Sequence, residues 1–388
     1  MTDVVERYLR LGLQLGRHVD GIVDSYFGPP ELAAEVEAAP PVDPQLLVAE
    51  ADALLETVDD GWLRDQLGGL RTYAGVLAGA RLPYADETEG CYGVRPTWTD
   101  ESVFAAAHEQ LEELLPGQGS LPNRMRRFEE SLRVPAERIE STVAHVIEVA
   151  REQTRRFVEL PTGEGVELEI VRDVPWLGYC EYLGDFRSRI SVNVDMPWSA
   201  GELLGLALHE TYPGHHAERS AKDQLLVRDR GLLEETLVTV PTPQSLISEG
   251  IAKLAPMTLL DGEGGSQFAD VVRAAELDFD LAHVLAFHKA LEPLEWASVN
   301  ASLLLHERGA DEADVRAYLE RWELISPERA EHAIRFYSEH TSRTYVVTYA
   351  AGLELARAYV GDDPGRFGRL LTEQVRVGDL VAARSAAA

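Results

Sequence analysis

Residues 209–216 read His-Glu-Thr-Tyr-Pro-Gly-His-His, three imidazoles and a carboxylate in eight positions, behind the apolar run Leu203, Leu204, Leu206, Ala207 and Leu208. Neutral imidazoles bind zinc well, and a Glu beside the first of them is placed to take a proton from metal-activated water. The usual zinc helix sets two His four residues apart, on one face. Here the position four after His209 is Pro213, so that pairing is lost. In an unbroken helix His215 would sit about 9 Å further along the axis on another face, and His216 about 10 Å along on the same face. Pro213 removes a helical donor and Gly214 tolerates backbone angles closed to other residues, so the chain can bend and return one imidazole to His209. The motif predicts a bent metal site built on His209 with His215 or His216.

A third ligand is needed, and the best candidate lies in Thr-Pro-Gln-Ser-Leu-Ile-Ser-Glu-Gly-Ile-Ala-Lys-Leu-Ala, residues 242–255. Thr242 reads as an N-cap and Pro243 as the first helical residue, which places Glu249 about two turns into a helix. Gly250 beside it allows another backbone to come close. A Glu on a second helix, some tens of residues after the His-Glu pair, is how the gluzincin class of zinc peptidases completes its site.

With these blocks the chain resembles the bacterial proteins grouped as domain of unknown function 885, gluzincin-like metallopeptidases marked by His-Glu-x-x-Pro-Gly-His and often a second His. Here that motif stands as His209-Glu210-Thr211-Tyr212-Pro213-Gly214-His215-His216. The family's Glu-Gly-Trp-Ala-x-Tyr-Ala-Glu block is similar to Glu249-Gly250-Ile251-Ala252-Lys253-Leu254-Ala255, with Trp and Tyr replaced. Its Asn-bearing strand resembles Arg189-Ile190-Ser191-Val192-Asn193-Val194. Its Tyr-Lys-Ile-Gly block resembles Tyr349-Ala350-Ala351-Gly352, where Ala350 removes a charge, and its Gly-Ile-His-x-x-Gly block resembles Leu304-Leu305-His306-Glu307-Arg308-Gly309. The likeness covers roughly the second half of the chain. It implies one zinc ion held by His209, His215 and Glu249, with Glu210 as general base and His216 as the variable member of the pair. It also implies a peptide held along an edge strand, where Asn193 could pair with its backbone and His216 could touch substrate. Tyr349 or His306 could stabilise the oxyanion, with Tyr349 preferred.

Composition is consistent with such a reading. At 388 residues and 45% hydrophobic the chain can bury a large core. Acidic residues number 66 against 36 basic, a formal net charge of −30 that repels phosphate backbones and anionic membrane surfaces, so neither nucleic acid nor membrane is expected as a partner. The first residues interleave charges through an amphipathic helix with no apolar segment of a signal peptide, which predicts a cytoplasmic protein. No stretch approaches the roughly 20 apolar residues of a membrane span. Cys91 and Cys180 are too few and too far apart for a disulfide framework, and Cys180 reads as a buried structural thiol.

Apolar residues spaced three and four apart predict helices over Val4–Ile22, Leu46–Leu55, Val103–Leu115 and Ile139–Phe157. One window differs. Between Glu164 and Pro197 the segments 166–171, 176–182 and 189–194 alternate and are β-rich, separated by Pro175 and Gly184-Asp185. They predict a small antiparallel sheet beside the metal helix, which Ser199 and Glu202 open with a capping box. The expected architecture is mainly α and gluzincin-like, with an N-terminal helical region over 1–160 and a metallopeptidase-like region over 161–388 packed as one unit. The expected chemistry is zinc-assisted cleavage of a peptide or small amide substrate. Two alternatives stay beside it: a metal-dependent tailoring enzyme acting on a non-peptide, and a non-catalytic binding protein with a degenerate site. Oligomeric state is not legible.

Overall fold

Helix formation follows the three-and-four apolar spacing along most of the chain. The computed structural model describes residues 2–59, 61–174, 177–195, 197–260, 265–274, 279–340 and 343–387. The four periodic segments form the helices Asp3–Gly16, Pro44–Thr57, Glu101–Leu114 and Ala136–Thr154. The first stops short of the expected Ile22. Gly21 adopts a positive φ of 81°, and the apolar residues after it turn into a strand, β1 (Val23–Tyr26), that pairs antiparallel with β5 (Leu237–Thr239). Period alone cannot separate a helix end from a short apolar strand that follows it.

The β-rich window forms three strands: β2 (Gly165–Val171), β3 (Gly178–Gly184) and β4 (Arg187–Asn193). Pro175 and Trp176, expected at the head of the second, lie outside the described residues. β3 and β4 make an antiparallel hairpin, turned by Gly184, Asp185 and Phe186, all at positive φ. The expected all-antiparallel arrangement is corrected on the other side. The strand order is β2-β4-β3, and β2 runs parallel to β4 with Val171 opposite Asn193. Although β3 follows β2 in sequence, it lies on the far side of β4 and is the edge strand facing the helix that carries His209.

That helix, Ala200–Glu210, starts at a complete capping box: the Ser199 hydroxyl accepts from the Glu202 N–H and the Glu202 carboxylate accepts from the Ser199 N–H. Its apolar face, Leu203, Leu204, Ala207 and Leu208, enters the main core. The same core takes Ile139, Val143 and Val146 from the first 160 residues and Ile251, Leu355 and Leu380 from the rest. A second cluster, from Tyr8 to Ala74, is closed by Leu237 of β5.

Two further helices complete the frame, Pro243–Leu260 and Val346–Val360. They cross where neither carries a side chain: a Cβ on Gly250 would lie 2.4 Å from the Gly352 carbonyl oxygen, and one on Gly352 2.6 Å from that of Leu246. This close crossing sets Glu249 beside Tyr345 and Tyr349. Thr242 does not cap the first of these helices. Its hydroxyl donates to the Thr239 carbonyl at 2.8 Å, tying the helix start to β5. Among the described residues no helix is long and apolar enough to cross a membrane.

Candidate metal centre

The bend is built by the residues between the two His. The metal helix ends at Glu210, Thr211 takes φ −117° and ψ −93°, the Tyr212–Pro213 peptide is cis, and a new helix, His215–Lys222, begins after Gly214. Gly214 is obligatory: a Cβ there would fall 1.8 Å from the His209 carbonyl oxygen. The rings of His209 and His215 thereby meet at right angles, with centroids 4.7 Å apart.

Glu249 faces both. Its Oε2 lies 3.5 Å from His209 Nε2 and its Oε1 3.6 Å from His215 Nε2, and one donor atom from each residue falls within 4.8 Å of the others. Ligands held tetrahedrally at about 2.0–2.2 Å from zinc stand roughly 3.4 Å from each other, so these separations suit a shared ion. The carboxylate supplies a second test. Oε1 accepts the Tyr345 hydroxyl at 2.6 Å, but Oε2 is buried with no hydrogen-bond partner. Such an orphan costs free energy, and a cation between Glu249 and the two imidazoles would satisfy it. The donor set fits a divalent metal.

Protonation agrees. Burial and the charge of His215 push His209 down to about 3, so it stays in the neutral, ligating form. Burial alone would lower His215 too, but the hydrogen bond and charge of Glu249 outweigh it and raise it to about 9. Against the penalty of burial, His215 and His209 hold Glu249 at about 2. Positive charge is therefore favoured between His215 and Glu249.

His215 is oriented from behind. Ser248 Oγ donates to Glu218 Oε2 at 2.5 Å, which leaves it as acceptor for His215 Nδ1, 3.1 Å away. With Nδ1 held by Ser248, Nε2 is the ring atom turned to Glu249, and on losing its proton it would be the atom that binds a metal. Glu218 is fully buried and also accepts from Lys222 Nζ at 2.8 Å and Gln244 Nε2 at 2.7 Å.

Glu210 is buried one residue past His209. Burial raises its carboxyl to about 7, with Glu249 and Asp24 adding to the rise and His215 opposing it. A carboxylate poised there can take and return a proton near neutral pH. Tyr349 stands on the neighbouring helix, its ring 5.4 Å from that of Tyr345, and burial together with Glu249 and Glu210 keeps its hydroxyl protonated. His209, Glu210 and Tyr349 all border two cavities, which also share Gly178 of β3. One is a cleft of about 1920 Å³ walled by apolar residues such as Leu204, Leu254, Met257, Phe279 and Leu353. The other is a chamber of about 170 Å³ that reaches Asp24, Tyr179 and Arg219.

The structure brings together His209, Glu210, His215, Glu249 and Tyr349; it does not bring Asn193 or His216 to them as substrate contacts. His216 is fully buried on the far side of its helix, between Ser188 Oγ at 2.7 Å and Glu164 Oε2 at 3.2 Å. Glu164 also accepts from Arg151 Nε at 2.6 Å and from the Tyr212 hydroxyl, which makes a structural polar cluster. Consecutive helix positions point about 100° apart, so only one of the paired His can face His209. Asn193 sits on the central strand β4. Its backbone N–H is taken by the Leu177 carbonyl, its Nδ2 donates to the Val174 carbonyl at 3.0 Å, and its Oδ1 accepts from Asp195 N at 3.0 Å. The edge next to the cleft is β3. His306 bonds the Tyr337 carbonyl at 2.8 Å and stacks on Tyr84.

Sequence reasoning missed Tyr345, Ser248, Glu218, Asp24 and Arg219. A trace of Tyr345 was present, since Tyr345 and Tyr349 stand four apart, and Glu218 and Lys222 share that spacing. Asp24 carried no signal, because tertiary contacts of β1, with β5 and with Tyr179 of β3, bring it to the site.

No family model matches the sequence, and no curated protein does. Solved structures share the fold. The crystal structure of a "putative lipoprotein" from Colwellia psychrerythraea aligns over 88% of this chain and 66% of that one, at 15% identity and a TM-score of 0.55. A "putative lipoprotein of unknown function" from Shewanella oneidensis aligns over 89% of this chain and 72% of its own, at 13% identity and a TM-score of 0.52. At these identities the likeness extends to the fold alone.

Proposed function

We propose that the protein is a metal-dependent hydrolase of peptide or small amide bonds, with one zinc ion held by His209, His215 and Glu249, in line with its resemblance to the domain of unknown function 885 proteins. The observation that carries this reading is the unpartnered Glu249 Oε2, facing two imidazoles at the spacing of a shared tetrahedral ion. Two nitrogens and one oxygen suit zinc among the common divalent metals.

When bound, the metal would polarise the scissile carbonyl and make water acidic enough to attack near neutral pH. Glu210 accepts the proton of that water as the new C–O bond forms, then delivers it to the amine as the C–N bond breaks. The Tyr349 hydroxyl donates to the developing oxyanion. Tyr345 holds Glu249, and the Ser248–Glu218 pair holds His215. The substrate lies in the large cleft, beside the edge strand β3 at Gly178. A non-catalytic role gives no account of a buried carboxyl at Glu210 directly beside a ligand.

Cytoplasmic location is part of the proposal, supported by two free, buried cysteines, and cell fractionation tests it. The activity is tested by a peptide-library digest with zinc-reconstituted protein. Cleavage that disappears on chelation and in Glu210→Gln supports the reading; no cleavage by fully metallated protein contradicts it.

A further inference from the structure

The small chamber contains a feature that the chemistry above does not use. Arg219, with a side chain only 11% exposed, reaches from the helix that carries His215 into the space bordered by His209, Glu210, His215 and Glu249. It is the one residue lining that space, among the described residues, with a permanent positive charge. A buried guanidinium normally has its fork of donors filled by a carboxylate at hydrogen-bond distance. Here its ion pair is with Asp24 Oδ2 at 3.8 Å, beyond that distance. Glu218, next in sequence, is already taken by Lys222, Gln244 and Ser248. Asp24 in turn accepts from the Tyr179 hydroxyl at 3.3 Å, which holds it at the chamber wall.

We infer that Arg219 is the receptor for a free carboxylate on the leaving side of the substrate, so that the site takes acylated amino acids and peptides cut next to their C-terminal residue. The inference rests on the hydrolase reading for the position of the scissile bond. Chamber size supports it. About 170 Å³ is well below the roughly 300–1,000 Å³ of ordinary small-molecule sites, so the chamber admits one small residue, whereas the cleft of about 1920 Å³ across the ligands can hold an extended acyl or peptide portion. Charge supports it too. In a chain of net charge −30, a cation sequestered beside the reaction centre selects for an anion that the surface as a whole repels. Planar guanidinium and planar carboxylate pair through two parallel hydrogen bonds, which a neutral amide cannot reproduce.

The test compares N-acetylalanine with N-acetylalaninamide, identical but for the charged terminus, by ligand-observed NMR on metal-free and zinc-loaded protein. Wild type in both forms is expected to bind the acid at least about tenfold tighter. Arg219→Gln should erase the difference while zinc stoichiometry stays unchanged. In hydrolysis by the zinc-loaded protein, a pentapeptide with a free C-terminus should be cut and its C-terminal amide should not; cleavage of N-acetyl dipeptides alone would assign the carboxylate to acyl amino acids of minimal length. The wild-type comparison needs no variant to fold, and its metal-free arm reads the pocket without the metal. Equal binding of acid and amide to wild type overturns the inference and leaves the metal reading intact. Failure to take up zinc, with the preference for the acid retained, overturns the hydrolase reading and leaves the carboxylate pocket standing.

Discussion

Tyr345 donates its hydroxyl to Glu249 Oε1 at 2.6 Å, and this leaves the other oxygen of the same carboxylate turned toward His209. The bond fixes which oxygen is available to a metal. Tyr345→Phe is expected to keep the fold and weaken zinc affinity about 10- to 100-fold, the usual effect of losing a partner behind a ligand. Competition against a chromogenic chelator measures it; an unchanged affinity would show that Glu249 needs no such support.

The two adjacent imidazoles should separate cleanly. His215→Ala is expected to lose the metal at little change in fold. His216→Ala should keep metal stoichiometry and destabilise the protein by about 2–4 kcal/mol, because it opens a cavity and removes the hydrogen bonds to Ser188 and Glu164. Metal analysis and denaturant unfolding of both variants decide the assignment, and the reverse pattern would exchange the roles of the pair.

Much of this site was legible because its constraints are local. Pro213 and Gly214 announced a bend, and the bend is what brings His215 to His209. Gly250 announced a close backbone, and Gly352 is that backbone. The capping box at Ser199 depends on residues three apart and formed as read. Illegible features were those set by tertiary pairing. Asn193 looked like an edge residue until β2 and β3 took both sides of its strand. Which His of 215 and 216 turns inward depends on where the new helix starts, and spacing does not carry that. Arg219 and Asp24 come near each other through long-range contacts of β1, its pairing with β5 and its bond to Tyr179 of β3.

The glycine crossing should be intolerant of one methyl group. Gly250→Ala places a Cβ 2.4 Å from the Gly352 oxygen, so the two helices must part. We expect a loss of about 1–3 kcal/mol, as for other overpacked sites, with metal affinity falling as Glu249 shifts. An unaltered thermal midpoint would show that the crossing has slack.

Away from the candidate metal centre, Glu323 predicts a pH dependence of stability. Burial raises its carboxyl to about 7, opposed by the Ser298 hydroxyl at 2.7 Å and by Arg329 and reinforced by Glu295. The folded state therefore holds the proton more tightly than the unfolded one, whose Glu ionises near 4.3. This contribution is fully present below pH of about 4.3 and is lost as pH rises through about 7, at most about 3–4 kcal/mol. Glu323→Gln should flatten that part of the stability profile in urea unfolding. A parallel profile for the variant would place the carboxyl in its ordinary range.

Elemental analysis of zinc-reconstituted, desalted protein tests the centre most directly. The account predicts one equivalent of zinc in wild type and in Glu210→Gln, the latter with hydrolysis reduced about 10²–10⁴-fold. It predicts none in His209→Ala, His215→Ala or Glu249→Ala. Wild-type protein that retains no zinc, or His209→Ala that retains a full equivalent, would contradict it.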